Sequence, residues 1–193
     1  MPSQLKMKWR NTPFEIPVVP EGYKLHTYIR NKDEIFTAEE FKEEWFRMIV
    51  TGIGVGEDYK ERYHEDPLIP DDGFFVVLDG ENKIAATAGI QFGRHSDDST
   101  TLHRVVTDPI HRGKQLGKIV TVAAMEYART HGVKYMYLTT DDFRKAAVNM
   151  YLKLGFKPCL YEPDMHDRWV ALFEELGTKD RTVLDENENE IVI

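Results

Sequence analysis

Apolar positions change period several times along the chain, and each change marks an element. Gly22 to Ile29 alternates apolar and polar residues, the period of a half-buried strand, after a leading segment punctuated by Pro13, Pro17 and Pro20. From Thr37 to Val50 the period lengthens. Phe41, Trp45, Met48 and Ile49 recur three and four apart and predict an amphipathic helix whose aromatic stripe belongs to the core. Thr37 and Glu40 stand at capping-box spacing at its start. Glu57 to Glu65 reads as a short charged helix. Gly73 to Leu78 and Lys83 to Phe92 read as a hairpin around Asp79-Gly80-Glu81-Asn82, and Leu102 to Thr107 as the next strand.

Leu116, Ile119, Val120, Ala123, Ala124 and Tyr127 then step by three and four, and Gly132 after His131 suits the left-handed cap that ends a helix. Lys134 to Thr140 is rich in aromatic and β-branched residues and reads as a strand. A helix follows, capped by Asp141 or Asp142, with Ala146, Ala147, Met150, Tyr151 and Leu154 as its apolar stripe and Gly155-Phe156 at its close. Lys157 to Tyr161 reads as a last strand, His166 to Leu176 as a further helix, and Asp185 to Glu190 as a solvated acidic tail.

Composition narrows the classes. With 193 residues, 41% hydrophobic and 30% charged, and no internal repeat, the chain suits one domain over 1–193. Its core covers about 22–161, followed by a C-terminal helix over 162–178 and an acidic tail over 179–193. A formal net charge of -8 argues against a nucleic-acid binder and suits a cationic amine as substrate. Met1 to Arg10 carries Lys6, Lys8 and Arg10 but no apolar run of signal-peptide length, and no stretch is long enough to span a membrane, so a soluble cytoplasmic protein is expected. The single Cys159 excludes a disulfide framework and reads as a small hydrophobe in a strand. The seven histidines lack ligand spacing, and no metal is expected.

Candidate chemistry concentrates where Val105-Val106-Thr107 runs through Asp108-Pro109 into Arg112-Gly113-Lys114-Gln115-Leu116-Gly117-Lys118. The proline ends the strand, and the Arg112 to Gly117 segment is expected in the first turn of the following helix. A helix start leaves about four backbone N–H groups unpaired and carries roughly half a positive charge, so it holds an anion without any side chain. Arg112, Lys114 and Lys118 add cations there, against the sign of the chain as a whole. The ligand is not that of a P-loop, because Gly113 to Gly117 is one residue short and Ile119 follows Lys118. Gly52-Ile53-Gly54-Val55-Gly56 has Glu57 where a dinucleotide fingerprint wants its third glycine, and reads as a plain loop.

The segment resembles the phosphate loop of the GNAT superfamily of acetyl-coenzyme A dependent N-acetyltransferases, [QR]-x-x-G-x-[GA], with Arg112 and Gly117 at its ends and Gln115 at the middle glycine. A second signature agrees: Tyr151-x-x-x-Gly155-Phe156 closes the later helix, with Ala147 and Tyr151 on the family's Asn-x-x-Ala-x-x-x-Tyr pattern and Arg144 at its asparagine. The resemblance implies an α/β (α+β) fold, a mixed, mostly antiparallel central sheet flanked by helices with a strand-helix-strand-helix-strand C-terminal half. It implies acetyl-CoA as co-substrate, held by Val105, Val106, Thr107, Arg112, Gly113, Lys114, Gln115, Leu116, Gly117, Lys118, Thr140, Arg144, Ala147 and Tyr151. It further implies direct attack of a primary amine, from a small molecule or a peptide, on the thioester. Backbone N–H groups around Val105 to Thr107 would stabilise the oxyanion, and Tyr151 would be the general acid toward the departing sulfur.

The general base is read from the residues themselves. His103 lies two positions before Val105, an alternation that puts both on one face, and its unperturbed pKa of about 6.5 suits proton removal near neutrality. A non-catalytic acyl-CoA sensor is the alternative. Strand edges and the C-terminal helix offer surfaces for a homodimer.

Overall fold

The computed structural model of the protein describes residues 3–53, 66–93, 95–96 and 98–193. They form two compact units, Glu15–Val133 and Met1–Phe14 with Lys134–Ile193. Both are built from antiparallel strands with helices beside them, the mixed α/β class expected from the alternating periods. The expected helix at 57–65 lies outside the described residues. No helix among those described is long and apolar enough to cross a membrane.

In Glu15–Val133, the strands β2 (Lys24–Tyr28), β3 (Phe74–Leu78), β4 (Ile84–Phe92) and β5 (Ser99–Thr107) form a meander in chain order. Helix α1 (Ala38–Ile53) crosses β4 and β5, and α2 (Leu116–Thr130) crosses β3, β4 and β5. A strand covered on both faces has no polar side to present. All five residues of β3 are buried.

The aromatic stripe of α1 does enter the core. Phe41 stacks on Tyr28 with ring centroids 3.6 Å apart, and Trp45 meets Phe74 edge-on at 5.6 Å. Each such ring contributes about 2–3 kcal/mol by leaving water. The capping box is formed: the Thr37 N–H donates to Glu40 Oε2 at 2.8 Å and the Glu40 N–H to Thr37 Oγ1 at 3.3 Å.

The helix runs on past Val50, so Gly52 is not loop but part of its last turn. A Cβ at Gly52 would lie 2.1 Å from Cγ1 of the buried Val106. Glycine is required here by close approach of helix and strand. Gly52→Ala should cost about 3 kcal/mol of overpacking against a β-branched neighbour, offset by about 1 kcal/mol of helix propensity. A urea midpoint lowered accordingly, and recovered in the Gly52→Ala/Val106→Ala double variant, is the expected result.

In the other unit, β6 (Tyr135–Thr140) pairs antiparallel with β1 (Leu5–Trp9), which pairs in turn with the two-residue β7 (Lys157–Pro158). Strand β1 is not among the elements expected from the sequence. Leu-Lys-Met-Lys-Trp does alternate, with Leu5, Met7 and Trp9 buried, but its lysines give it the character of a charged segment. Helices α3 (Lys145–Lys153) and α4 (Met165–Leu176) complete this unit, α4 ending at Gly177 with φ of 62°.

The acidic segment at 185–190 is not a plain tail. It turns a hairpin between β8 (Thr182–Leu184) and β9 (Glu190–Val192), with Asp185 Oδ1 accepting from the Asn187 and Asn189 N–H groups at 2.9 and 2.8 Å. From that turn Glu188 reaches Lys8, which is 1% exposed. The ammonium donates to both carboxylate oxygens at 2.7 and 2.6 Å and sits 3.9 Å from the centre of the Tyr135 ring. A lysine is buried only when its charge is met in this way. Burial alone would lower its pKa, but Glu188 and Tyr137 hold it above the ordinary value.

Candidate functional site

In β5 the strand is not regular. Thr87 and Gly89 of β4 pair with Val106 and His103, so two steps on one strand match three on the other. Arg104, with φ of 52°, is the extra residue of a β-bulge. Val106 faces α1, as its approach to Gly52 shows. Val105 and Thr107 face α2, where a Cβ on Gly117 would lie 4.0 Å from Val105 Cγ1 and 3.1 Å from Thr107 Oγ1. His103, in register with Gly89, therefore falls on the α1 side. The simple alternation that placed it with Val105 is overturned by the bulge.

After β5 the chain enters a 3-10 turn, Pro109–His111, with Asp108 at its cap. Asp108 Oδ1 accepts from the Ile110 N–H at 3.1 Å, and Oδ2 accepts from Arg47 at 2.9 Å. Arg47 also donates to the Ile84 carbonyl at 3.1 Å. Burial would raise the Asp108 pKa, but the Arg47 guanidinium and the Ile110 N–H hold it below the usual carboxylate range. This brace fixes where the loop begins. The sequence named Asp108 only as a strand end, although aspartate before proline is itself a helix-start signal.

Arg112 to Gln115 precede α2 rather than forming its first turn, because the helix starts at Leu116. Two left-handed residues produce this displacement, Gly113 with φ of 81° and Gln115 with φ of 59°. Gln115 thus holds, with a side chain, a left-handed conformation that glycine adopts freely, at a cost of about 1 kcal/mol. The N–H groups of residues 113–117 find no acceptor among the described residues; the first donors satisfied in the helix, Lys118 and Ile119, both reach the Gln115 carbonyl, at 3.0 and 3.2 Å. Free backbone donors with Arg112, Lys114 and Lys118 beside them are the kind of grouping that receives an anion.

The second group of expected residues lies in the other unit. Thr140 is buried at the end of β6. Neither Asp141 nor Asp142 caps α3, because a turn intervenes and Arg144 is the residue at the cap position. Asp141 instead accepts from Arg144 Nε at 3.0 Å, and Asp142 takes a two-pronged contact from Arg168 at 3.0 and 2.6 Å. Arg144 is thereby engaged locally. The buried stripe of α3 is Val148 and Tyr151, continued by Leu154 after the helix, while Ala146 is exposed and Ala147 half-buried.

Tyr151 is 6% exposed, with the Phe156 ring 5.7 Å away, and its hydroxyl makes no hydrogen bond among the described residues. Burial pushes its pKa well above the ordinary tyrosine value, against a small lowering by Arg144, so it is a neutral phenol throughout the physiological range. Gly155, with φ of 88°, ends the helix, and the Phe156 N–H closes back on the Tyr151 carbonyl at 3.0 Å. Burial pushes the Cys159 thiol up to about 11, which suits a packed residue and not a nucleophile.

Residues 34–156 match the model of the Acetyltransferase (GNAT) family. Mycothiol acetyltransferase of Actinosynnema mirum is 25% identical over 142 residues, covering 74% of this chain and 47% of that protein. Streptothricin acetyltransferase of Streptomyces lavendulae is 25% identical over 133 residues, covering 59% of this chain and 69% of that protein. A GCN5-related N-acetyltransferase from Kribbella flavida superposes with a TM-score of 0.57 at 21% identity, covering 80% of this chain and 54% of that one. The chain spans about half the length of the mycothiol acetyltransferases that it matches.

Proposed function

Because the chain belongs to the Acetyltransferase (GNAT) family, we propose that it transfers an acetyl group from acetyl-CoA to a primary amine by direct attack. The cradle of five free N–H groups at residues 113–117 carries this reading, since it matches a pyrophosphate in charge and in its demand for donors. The thioester of acetyl-CoA supplies the activated acyl group.

The chain's own residues have separable tasks. Arg112, Lys114 and Lys118 neutralise phosphate charge, and the backbone of Val105 to Thr107 orients the reacting carbonyl through N–H donors. Tyr151 Oη holds its proton for the departing sulfur. For the amine's proton we assign His103, acting from the α1 side. Amine acceptors of small-molecule size are favoured by the names of the matched relatives, mycothiol acetyltransferase and streptothricin acetyltransferase, and by the acidic balance of this chain.

The test is a thermal-shift series with acetyl-CoA followed by a panel of small amines with thiol-release detection. A ligand that binds only the folded state must raise apparent stability, so a midpoint that climbs with acetyl-CoA, and thiol release with at least one amine, are expected. No shift at millimolar acetyl-CoA would sink the coenzyme reading. A shift without thiol release from any amine would favour the sensor.

A further inference from the structure

Between Gly113 and Gln115, the two left-handed residues of the cradle, sits Lys114, and its side chain does not simply hang in solvent. Its ammonium donates to the hydroxyl of Tyr23 at 2.5 Å, with the ring centre 5.0 Å from Nζ. The same hydroxyl lies 2.8 Å from His111 Nδ1, and the His111 ring stands edge-on to Tyr23 with centroids 5.6 Å apart. His111 Nε2 in turn lies 3.7 Å from Asp79 Oδ2, in the β3–β4 turn.

The donor directions in this chain are mutually consistent. Lys114 has only protons to give, so the Tyr23 oxygen accepts; the Tyr23 proton is then free to go to Nδ1, which leaves the His111 proton on Nε2, toward Asp79. One cation and one carboxylate close the two ends. Among the described residues, Lys114 has the one side chain of residues 112–115 that makes a hydrogen bond. A loop with a strained Gln115 and five unpaired N–H groups gains by relaxing, unless something holds it.

We infer that Tyr23 is a positioning residue for the coenzyme phosphates: through Lys114 and His111 it holds the 112–117 loop in its anion-binding form before the ligand arrives. Tyr23 precedes β2 and is some ninety residues from the loop that it holds. It touches neither the reacting carbonyl nor the sulfur, so its effect belongs to coenzyme binding and not to the chemical step. Preorganisation of this kind lowers the ordering cost at binding without adding a contact to the ligand. The inference rests on the reading of the loop as the coenzyme phosphate site.

Tyr23→Phe tests it, because the phenylalanine keeps the ring over Lys114 and against His111 and removes only the hydroxyl. Calorimetric Kd values for coenzyme A and steady-state constants for acetyl-CoA are measured on the parent, Tyr23→Phe, Lys114→Met and the double variant, each checked for an unchanged unfolding midpoint without ligand. The expected result is a Kd and a KM for the coenzyme raised about tenfold in Tyr23→Phe, the factor carried by one hydrogen bond to a charged group, with kcat unchanged. Lys114→Met weakens binding further through its lost charge, and adding Tyr23→Phe to it changes nothing more, since the tether is already gone. Parent-like coenzyme affinity in Tyr23→Phe, or effects of the two substitutions that simply add, would overturn the inference while leaving the loop as the phosphate site. A parent that does not bind coenzyme A would overturn both.

Discussion

Tyr151→Phe is expected to lower kcat by about 100-fold or more, the scale of a lost general acid, with coenzyme affinity nearly unchanged. The substitution removes one oxygen from a side chain that is already 6% exposed and whose hydroxyl is bonded to nothing described. A core tyrosine of that kind loses little stability on conversion to phenylalanine, so the unfolding midpoint should hold while the rate falls. Rate loss together with a lowered midpoint would mark Tyr151 as structural.

The pH dependence separates the two roles again. An ordinary phenol ionises at about pH 10, and an acid of that pKa loses its proton on the alkaline limb. Burial raises Tyr151 above that value, so the rate should persist past pH 10 wherever the protein remains folded. Stability runs the other way. A group whose folded pKa is raised contributes stability below its unfolded value of about 10 and loses it as pH climbs toward the folded one. A rate that falls near pH 10 while the fold holds would remove Tyr151 from the acid role.

Gly155→Ala carries the largest expected loss of stability, about 2 to 4 kcal/mol. With φ of 88° the position lies where an L side chain costs about 1–2 kcal/mol, and here a Cβ would also lie 2.8 Å from Thr12 Oγ1, an overlap of about 1–2 kcal/mol. For a chain of this size that amounts to an unfolding midpoint lower by roughly 5–15 °C. Thr12→Ala in the same protein should restore the steric part and leave the backbone part, so a partial recovery is expected. Full recovery, or none, would show that one of the two causes is absent.

Both positions belong to Tyr151-x-x-x-Gly155-Phe156, and that motif was legible for a physical reason. A left-handed helix end needs glycine, and the turn that follows needs an apolar residue to dock, so the constraint is written within six consecutive residues. The capping box at Thr37 and the end of α2 at His131-Gly132 were legible in the same way. So were most strands, whose ends shifted by a residue or two, except that β5 begins three residues earlier, at Ser99, and β7 ends three residues earlier, at Pro158.

The errors have a common form. Strand β1 alternates as a strand should, but lysines occupy its second face, and only the partner Glu188, 180 residues on, makes that face intelligible. Asp141 and Asp142 had the residue type of a cap and were claimed by Arg144 and Arg168 instead. Counting in twos puts His103 on the face of Val105, and the bulge at Arg104 inserts a third step. The 112–117 segment is expected in the first turn of α2 and its first four residues precede the helix instead, because Gln115 gives no sign in sequence of a left-handed φ that glycine would have announced.

By itself, then, the sequence determined most of the strands and helices in their order, the capping box of α1, the glycine end of α2 and the glycine-closed helix that carries Tyr151, because each depends on residues two to six positions apart whose period or backbone preference acts locally. The tertiary structure alone decided which face His103 takes, that Lys8 is buried against Glu188, that Asp108 is braced by Arg47, and that Tyr23 reaches Lys114. Those pairings join residues far apart in the chain. Closing long loops costs entropy that depends only slowly on their length, so no spacing encodes the choice among partners, and it falls to whichever polar groups the packed strands and helices bring within hydrogen-bond reach.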